Sequence, residues 1–222
     1  MLRLAFPSRS SKSAPLRVLC LGAHSDDIEI GCGGTLFHLV RRPGGAALDW
    51  VVFSASGSTV RAREARSSAR RMGREARSMR LVTHRFRDGF FPSQAARIKE
   101  AFEALKRLPS PDVVFAPWRG DAHQDHRLLA ELAWNTFRDH LILEYEIAKY
   151  DGDLRTPNVY VPLTRQTCAD KIAHLRAAFP SQAGNQWFDD EAFWALLRLR
   201  GIESNAATRY AEGFHCRKLT LG

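Results

Sequence analysis

The chain has 222 residues, 45% of them hydrophobic, and a formal net charge of +9 at pH 7, which fits one large domain rather than two. Its four cysteines lie far apart without a C-x-x-C pair, which argues against a zinc ribbon or a dense disulfide framework and favours a reducing cytoplasm. No apolar run reaches the roughly 18 residues of a transmembrane helix, and the start of the chain lacks the apolar segment of a secretory signal.

The predicted elements begin after a tail over residues 1–15, which contains Ser and Arg but no acid. We expect this tail to be disordered, although its composition is also that of a short organellar transit peptide. The run RVLCLG at 17–22 has strand length, lacks helical periodicity and precedes a polar, Gly-rich loop, so it predicts a buried first strand. A first helix is predicted from about Gly34 to Arg42.

A second strand and an arginine-rich helix follow. LDWVVFSAS at 48–56 repeats the strand pattern, and the Ala and Met spacing from Arg61 to Gly73 predicts an amphipathic helix. Residues 61–80 hold eight Arg against two Glu, which indicates either a solvated helix face or an anion-binding surface. Because no aromatic residues alternate with the arginines, we expect no nucleic-acid partner. An acidic or nucleotide-linked substrate stays an alternative.

The remaining pattern alternates strands and helices. Further strands are predicted at 79–84, 111–117 and 141–153, and further helices at 94–107, 126–138, 166–179 and 189–201. This order predicts an α/β fold with a Rossmann-like, mainly parallel sheet, formed by a single domain over residues 16–222. Binding sites in such sheets lie beyond the carboxyl ends of the strands.

Two polar motifs occupy those strand ends. AHSDDIEIGCGGTL at 23–36 follows the first strand directly, and HQDH at 123–126 follows the strand PDVVFAP by five residues. Catalytic zinc sites take three protein ligands from His and carboxylate and keep a fourth position for water. His24, Asp27 and His126 supply such a set, and iron or another divalent ion is an alternative metal.

Three further residues of the motifs fit the chemistry of a metal hydrolase. Asp26 must point away from its neighbour Asp27, so it can take the proton of the attacking water. His123 can stabilise the oxyanion and protonate the leaving nitrogen, and Asp125 can orient His123 through its second ring nitrogen. Taken singly, these aspartates and histidines are more often helix caps or surface residues. Their conjunction at two strand ends favours catalysis.

Other catalytic patterns are poorly matched. The glycines of GCGG at 31–34 do not have G-x-G-x-x-G spacing, and the second strand ends without the acidic residue that would hold a ribose. We therefore expect these glycines to let the loop and helix approach the metal closely. No G-x-S-x-G elbow is present, which argues against a serine hydrolase.

At these motifs the chain resembles the PIG-L/LmbE-like family of zinc-dependent N-acetylglucosaminyl deacetylases, which have a Rossmann-like fold. The likeness covers most of residues 16–215. The family's motifs, His-Pro-Asp-Asp-Glu with a Gly pair and His-x-Asp-His, correspond here to His24, Ser25, Asp26, Asp27, Ile28, Gly33 and Gly34, and to His123–His126. Weaker similarities are Arg61 with Glu64 and Ala65, Ser181 with Gln182, and RYAEGF ending at Phe214.

The resemblance implies zinc on the three ligands named above, Asp26 as the general base, and His123 as the electrostatic or acid partner. It also implies that Arg61 helps to hold the sugar. Ser25 replaces a proline and Ile28 replaces an acid of the family motif, which concerns loop rigidity and the surroundings of the ligands. Since all ligands and the base are present, activity is expected.

The leading hypothesis is a cytoplasmic, zinc-dependent N-deacetylase of an N-acetylated amino sugar, such as a glycoside, a glycan or a sugar nucleotide. Residues expected to line the sugar pocket are Phe179, Gln182, Asn185, Gln186 and Trp187. Two alternatives remain open: a metal-dependent esterase acting on another acyl substrate, and a non-catalytic nucleotide-binding module. The second predicts nucleic-acid binding that falls steeply with salt and persists when Asp26 is replaced.

Overall fold

A computed structural model describes residues 4–5, 14–55 and 59–220 of the chain. The tail predicted over residues 1–15 therefore lies largely outside the described residues. Within the described ranges, no helix is both long and apolar enough to cross a membrane.

The described residues form an α/β structure around one sheet. Its strands are β1 (Leu16–Gly22), β2 (Ala46–Val52), β3 (Ser78–Thr83), β4 (Val113–Pro117), β5 (Leu141–Tyr145), β6 (Val159–Leu163) and β7 (Tyr210–His215), in the order β3-β2-β1-β4-β5-β7-β6. Strands β1 to β5 are parallel, and β7 pairs antiparallel with both β5 and β6. The predicted fold class, a mainly parallel Rossmann-like sheet flanked by helices, is confirmed.

Six α-helices in this part of the chain connect the strands. They are α1 (Asp27–Arg41), α2 (Thr59–Gly73), α3 (Ala95–Leu105), α4 (Gln124–Thr136), α5 (Arg165–Ala178) and α6 (Asp190–Glu203). Short 3-10 helices cover Phe91–Gln94 and Pro180–Gln182. Two apolar clusters form the core: one contains Trp50, Phe115 and Phe214, and the other contains Phe53 and Phe102.

Helix α1 begins seven residues earlier than the predicted Gly34, because the glycines lie inside the helix rather than in a loop. A side chain at Gly31 would overlap the buried ring of Tyr145 on β5. At Gly34, a Cβ atom would lie 2.5 Å from Leu163 on β6 and 2.9 Å from Glu212 on β7. These glycines allow close packing of α1 against the sheet. They were expected to let the loop and helix approach the metal closely, whereas the contacts that require them are with Tyr145, Leu163 and Glu212.

The last two strands were not predicted, and the strand predicted over 141–153 ends at Tyr145. Strand β6 lies at an edge of the sheet and contains Pro162, while β7 carries the charged residue Glu212. Glu212 is buried because it accepts hydrogen bonds from Gly34 N at 2.8 Å, Thr35 N at 2.7 Å and Lys171 Nζ at 2.6 Å. Partners distant in sequence thus place a charge in a buried strand.

The parallel strands bring four connections to one edge of the sheet. The loop from β1 to α1 carries the first polar motif, and the loop from β4 to α4 leads into the second. Residues 84–90 after β3 lie next to them, as the contacts of Asp88 and Gly89 with the motif residues show. The start of α2 lies at the same edge, as the contact of Arg61 with Asp26 shows.

Candidate active site

The two neighbouring aspartates of the first motif differ in their contacts. Asp27 Oδ2 accepts a hydrogen bond from the backbone N–H of His24 at 2.7 Å, which directs that carboxylate into the loop. Asp26 occupies the N-cap position of α1, yet its side chain makes no capping hydrogen bond to any described residue. Both are buried, with 3% and 4% of their surface exposed. The structure thus argues against helix capping as the role of Asp26.

His24, Asp27 and His126 bring one donor atom each to a common point. His24 Nδ1 lies 3.1 Å from His126 Nε2, and Asp27 Oδ2 lies 3.2 Å from His126 Nε2 and 3.4 Å from His24 Nδ1. In tetrahedral zinc sites, ligand bonds of about 2.0–2.1 Å place donor atoms about 3.3 Å apart. The spacing and the donor types of this triangle therefore fit a divalent metal.

The electrostatics of the triangle favour a cation at the same point. Burial alone would raise the pKa of Asp27, but His126 and His24 hold that pKa well below its usual range. Burial would lower the pKa of His126, yet Asp27 and Asp121 raise it to about 9. Two carboxylates thus stabilise positive charge on the rings, and a metal ion would supply such charge to the same carboxylates.

Each histidine of the triangle has a carboxylate on its other ring nitrogen. Asp125 Oδ2 lies 3.2 Å from His24 Nε2, and its carboxylate also accepts hydrogen bonds from Gly89 N at 2.7 Å and Phe91 N at 3.0 Å. The prediction that the Asp125 side chain orients His123 is therefore wrong. Because Asp125 sits one residue inside α4, its side chain reaches across to the β1–α1 loop.

Asp121 is a site residue that the sequence prediction missed. Its Oδ2 lies 2.8 Å from His126 Nδ1, and its Oδ1 accepts the His123 N–H at 2.7 Å. Lys149 Nζ lies 2.8 Å from the Oδ1 atom of the same carboxylate and 3.0 Å from Asp153 Oδ2. The alternation of acid and His in DAHQDH is a signal that could have pointed to Asp121, whereas Lys149 has no local signal.

His123 is the N-cap residue of α4, and its side chain caps the helix, as a histidine near a loop often does. Its Nδ1 accepts the Asp125 N–H at 3.2 Å, which assigns the proton of the neutral ring to Nε2. Its ring centroid lies 4.8 Å from that of His24 and 5.0 Å from that of His126. Burial and the two neighbouring histidines lower the pKa of His123. His123 is thus a neutral donor beside the triangle.

Asp26 lies beside the triangle, and its two carboxylate oxygens differ in their hydrogen bonding. Arg61 Nη2 donates to Asp26 Oδ1 at 2.7 Å, while the buried Oδ2 has no hydrogen-bond partner among the residues that the structure describes. Burial raises the pKa of Asp26, the Arg61 guanidinium lowers it, and the net direction is upward. A buried carboxylate oxygen without a partner among the described residues can accept a hydrogen bond from a bound polar group such as water.

Arg61 itself is positioned by two residues that the sequence analysis named only as weaker family similarities and gave no role. Glu64 Oε2 lies 3.7 Å from Arg61 Nη1, and this buried carboxylate accepts hydrogen bonds from Ser181 N at 2.9 Å and Ser181 Oγ at 2.6 Å. The start of α2 is thereby joined to the segment after α5. Of the expected sugar-pocket residues in that segment, Phe179 is fully buried in the core and cannot face a ligand.

The two departures from the family motif are both buried, with 1% of each residue exposed. Ile28 belongs to the apolar core cluster and packs beside Gly22 of β1. In this chain the position of the missing acid is therefore part of the core. Asp88, on the loop after β3, approaches the site instead, with Oδ1 3.0 Å from His24 Nε2. Its side chain is 67% exposed, which places it at the mouth of the site.

Comparison with known proteins gives a family match and several structural neighbours. The model of the PIG-L family, described as GlcNAc-PI de-N-acetylase, matches residues 19–137. This match runs from within β1 to just past the end of α4 and therefore includes the donor triangle, His123 and Asp26.

The structural neighbours cover nearly the whole chain at low sequence identity. The conserved protein TT1542 from Thermus thermophilus is 24% identical, with a TM-score of 0.71 over 93% of this chain and 97% of its own. N,N'-diacetylchitobiose deacetylase from Pyrococcus horikoshii is 22% identical, with a TM-score of 0.64 over 90% of this chain and 83% of its own. The 4-carboxy-2-hydroxymuconate hydratase GalB from Pseudomonas putida is 17% identical, with a TM-score of 0.70 over 93% of this chain and 99% of its own. At these identities the likeness establishes the fold alone.

Proposed function

The chain belongs to the PIG-L family of GlcNAc-PI de-N-acetylases, and from this premise we propose that it is a metal-dependent N-deacetylase of an N-acetylated amino sugar. One observation carries the proposal. A triangle of two histidine nitrogens and one carboxylate oxygen lies beside the neighbouring carboxylate Asp26, which keeps a buried oxygen without a partner among the described residues. A water-activating metal hydrolase requires this pairing of ligands with a separate base.

His24, Asp27 and His126 would hold the metal, and a borderline-soft donor set of two imidazoles and one carboxylate suits zinc or Fe²⁺. When bound, such an ion supplies Lewis-acid activation of water and of the amide carbonyl. Asp125 and Asp121 orient the two ligand rings through their outer nitrogens. Both rings are thereby held with one nitrogen directed to the common point.

Asp26 is proposed as the general base. The Arg61 guanidinium fixes one of its oxygens, so the other is available to accept the proton of the attacking water. Burial shifts the pKa of Asp26 upward in spite of the Arg61 guanidinium, which strengthens the carboxylate as a proton acceptor.

His123 is proposed to act on the opposite side of the reacting amide. Its Nε2–H can donate to the oxygen of the tetrahedral intermediate as negative charge develops there. Collapse of the intermediate breaks the C–N bond, and the nitrogen takes up the proton that Asp26 removed from the water, which yields acetate and the free amine. Arg61 is proposed to contact the sugar at the same edge of the site while it holds Asp26.

The proposal of an N-acetylated sugar rests on the family and agrees with the substrate in the name of the Pyrococcus horikoshii neighbour, which is diacetylchitobiose. The hydratase among the neighbours shares the fold at a similar TM-score. The fold therefore supports more than one kind of water addition, and the bond that is attacked has to be measured.

The experiment that tests the proposal compares substrates on one enzyme preparation. Purified protein loaded with zinc, or with Fe²⁺ under anaerobic conditions, is given N-acetylglucosamine, diacetylchitobiose and an O-acetylated sugar, and acetate release is followed. We expect acetate from the N-acetyl compounds, loss of activity on chelation, and recovery when metal is restored. Acetate release from the O-acetyl sugar alone would identify an esterase and contradict the proposal, as would turnover that chelation leaves unchanged.

A further inference from the structure

A basic groove runs between helix α2 and the edge strand β3. It encloses about 790 Å³, and we call it the arginine groove after the six arginines that line it: Arg63, Arg66, Arg70, Arg71, Arg74 and Arg85. A second cavity of about 580 Å³ continues it along β3, sharing Arg66, Arg70 and Arg74. The proposed deacetylation uses none of these side chains.

The arginines form a line because of their spacing on the helix. Arg63, Arg66 and Arg70 follow one another at intervals of three or four residues, so they share one face of α2 over about 10 Å. Arg74 follows directly after the last residue of the helix. The described lining of the groove contains no acidic side chain. Over the described ranges, none of the six arginines is in an ion pair with a carboxylate. A row of like charges at this spacing repels itself, and a bound anion would relieve that repulsion.

One end of the arginine groove opens at the edge of the sheet where the candidate active site lies. Arg63 is two residues from Arg61, whose guanidinium contacts Asp26. Arg85 follows the carboxyl end of β3, and its backbone bridges to Ser54 beyond the carboxyl end of β2. The end of the groove at Arg63 and Arg85 therefore lies at the same edge of the sheet as the donor triangle, while Arg63 and Arg61 lie on different faces of α2.

We propose that the arginine groove binds the acidic part of a multiply charged glycan whose N-acetylated sugar lies in the active site. The inference rests on the proposed function, because it assigns the substrate class of the same enzyme. A groove lined on one side by a row of guanidinium groups suits a narrow chain with repeated phosphate, sulfate or carboxylate groups. The described lining has no aromatic side chain on which nucleotide bases could stack, which favours a glycan over single-stranded nucleic acid.

Binding is tested first, without reference to turnover. Fluorescence anisotropy measures binding of a fluorescein-labelled hyaluronan octasaccharide, in which N-acetylglucosamine alternates with glucuronate, and of neutral chitohexaose. The groove variant is Arg70→Glu/Arg74→Glu. The matched control, Arg107→Glu/Arg138→Glu, makes the same change in net charge at two exposed residues after α3 and α4, which do not line the groove.

We expect the acidic octasaccharide to bind wild type and control with similar affinity. It should bind the groove variant at least tenfold more weakly, and high salt should weaken its binding to wild type. Neutral chitohexaose should bind all three proteins alike. Equal affinity of the groove variant for the octasaccharide would overturn the proposal. Tighter binding of a labelled dT12 oligonucleotide, which the octasaccharide fails to displace, would also overturn it in favour of nucleic acid.

Acetate release then separates this inference from the proposed function. The groove variant should keep the kcat/KM of wild type on diacetylchitobiose and lose at least tenfold on the acidic octasaccharide. A loss of equal size on both substrates would contradict a role confined to the acidic chain. If wild type releases acetate from no substrate, the proposed deacetylation fails, while the anisotropy still decides whether the groove binds acidic glycans.

Discussion

At the scale of single residues, two adjacent carboxylates of the site differ in their charged neighbours and in the direction of their pKa shifts. Asp27 faces two imidazole rings that depress its pKa, while Asp26 faces one guanidinium and has an upward-shifted pKa. One carboxylate is therefore suited to remain an anion on a metal, and the other to accept a proton. Two adjacent acids at the start of α1 thus have different surroundings, which is the basis of the two roles proposed for them.

His174 on α5 gives a prediction about stability and pH. Its ring is buried beside Phe37 and lies 2.7 Å from Ser68 Oγ. Burial, reinforced by the Arg71 guanidinium, lowers its pKa to about 4. The unfolded chain takes up this proton near pH 6.5 and the folded chain only near pH 4, so stability falls as the pH drops between these values. The full loss from this group is roughly 3 kcal/mol.

The substitution His174→Gln keeps a partner for Ser68 and removes the titration. Urea unfolding of metal-free wild type and variant at pH 7.5 and 5 measures the effect. The variant should lose less stability between the two pH values, although His215, whose pKa is also lowered to about 4, stays in both proteins. An equal loss in the two proteins would show that His174 is not the titrating group.

The sequence predicted the residues of the donor triangle because their types and their positions after two strands suffice for that inference. It did not predict which carboxylate meets which ring. Asp125 was assigned to His123, two residues away, but its side chain reaches His24 on another loop. Lys149 was missed for the same reason, since a pairing between distant loops cannot be inferred from sequence spacing. Asp121 lies only five residues before His126, and the alternation of acid and His could have indicated it.

At the scale of elements, helix α1 gives a matched pair of glycine substitutions. Alanine is favoured over glycine inside a helix by about 1 kcal/mol. At Gly33 an added Cβ would meet Lys171 and Glu29 at 3.7 Å and 3.9 Å, which is ordinary contact. At Gly31 it would overlap the buried Tyr145 ring, whose hydroxyl donates to Leu21 O at 2.7 Å. Overpacking of this kind costs about 1–3 kcal/mol.

Gly33→Ala should therefore raise the free energy of unfolding by about 1 kcal/mol, and Gly31→Ala should lower it by roughly 1–2 kcal/mol. Urea denaturation of both variants at one metal concentration checks the two signs together. If both substitutions stabilise the protein, α1 does not pack against Tyr145 as closely as described.

The alternating strands and helices from β1 to β5 were predictable because buried parallel strands have long apolar runs. Strands β6 and β7 were not, since their sequences contain Pro162 and Glu212, which local patterns exclude from strands. Their pairing depends on burial of Glu212 against α1 and Lys171. The early start of α1 was hidden likewise, because glycines inside a helix resemble a loop in sequence.

At the scale of the whole molecule, one edge of the sheet collects the functional groups. The donor triangle lies beyond β1 and β4, and the arginine groove opens toward the same edge from the side of β3. The net charge of +9 adds a long-range attraction for anionic ligands that salt would weaken. The molecule thus combines a family-typical site with a basic approach to it.

The substitution Asp26→Asn tests most directly whether Asp26 acts as the base while the three other residues bind the metal. The amide keeps the size of the side chain but cannot serve as the base. Metal content and acetate release are measured on the same preparations of wild type and variant. We predict unchanged metal content and a kcat on diacetylchitobiose that is lower by about 10²–10⁴-fold. A variant that binds metal and retains the kcat of wild type would contradict the account.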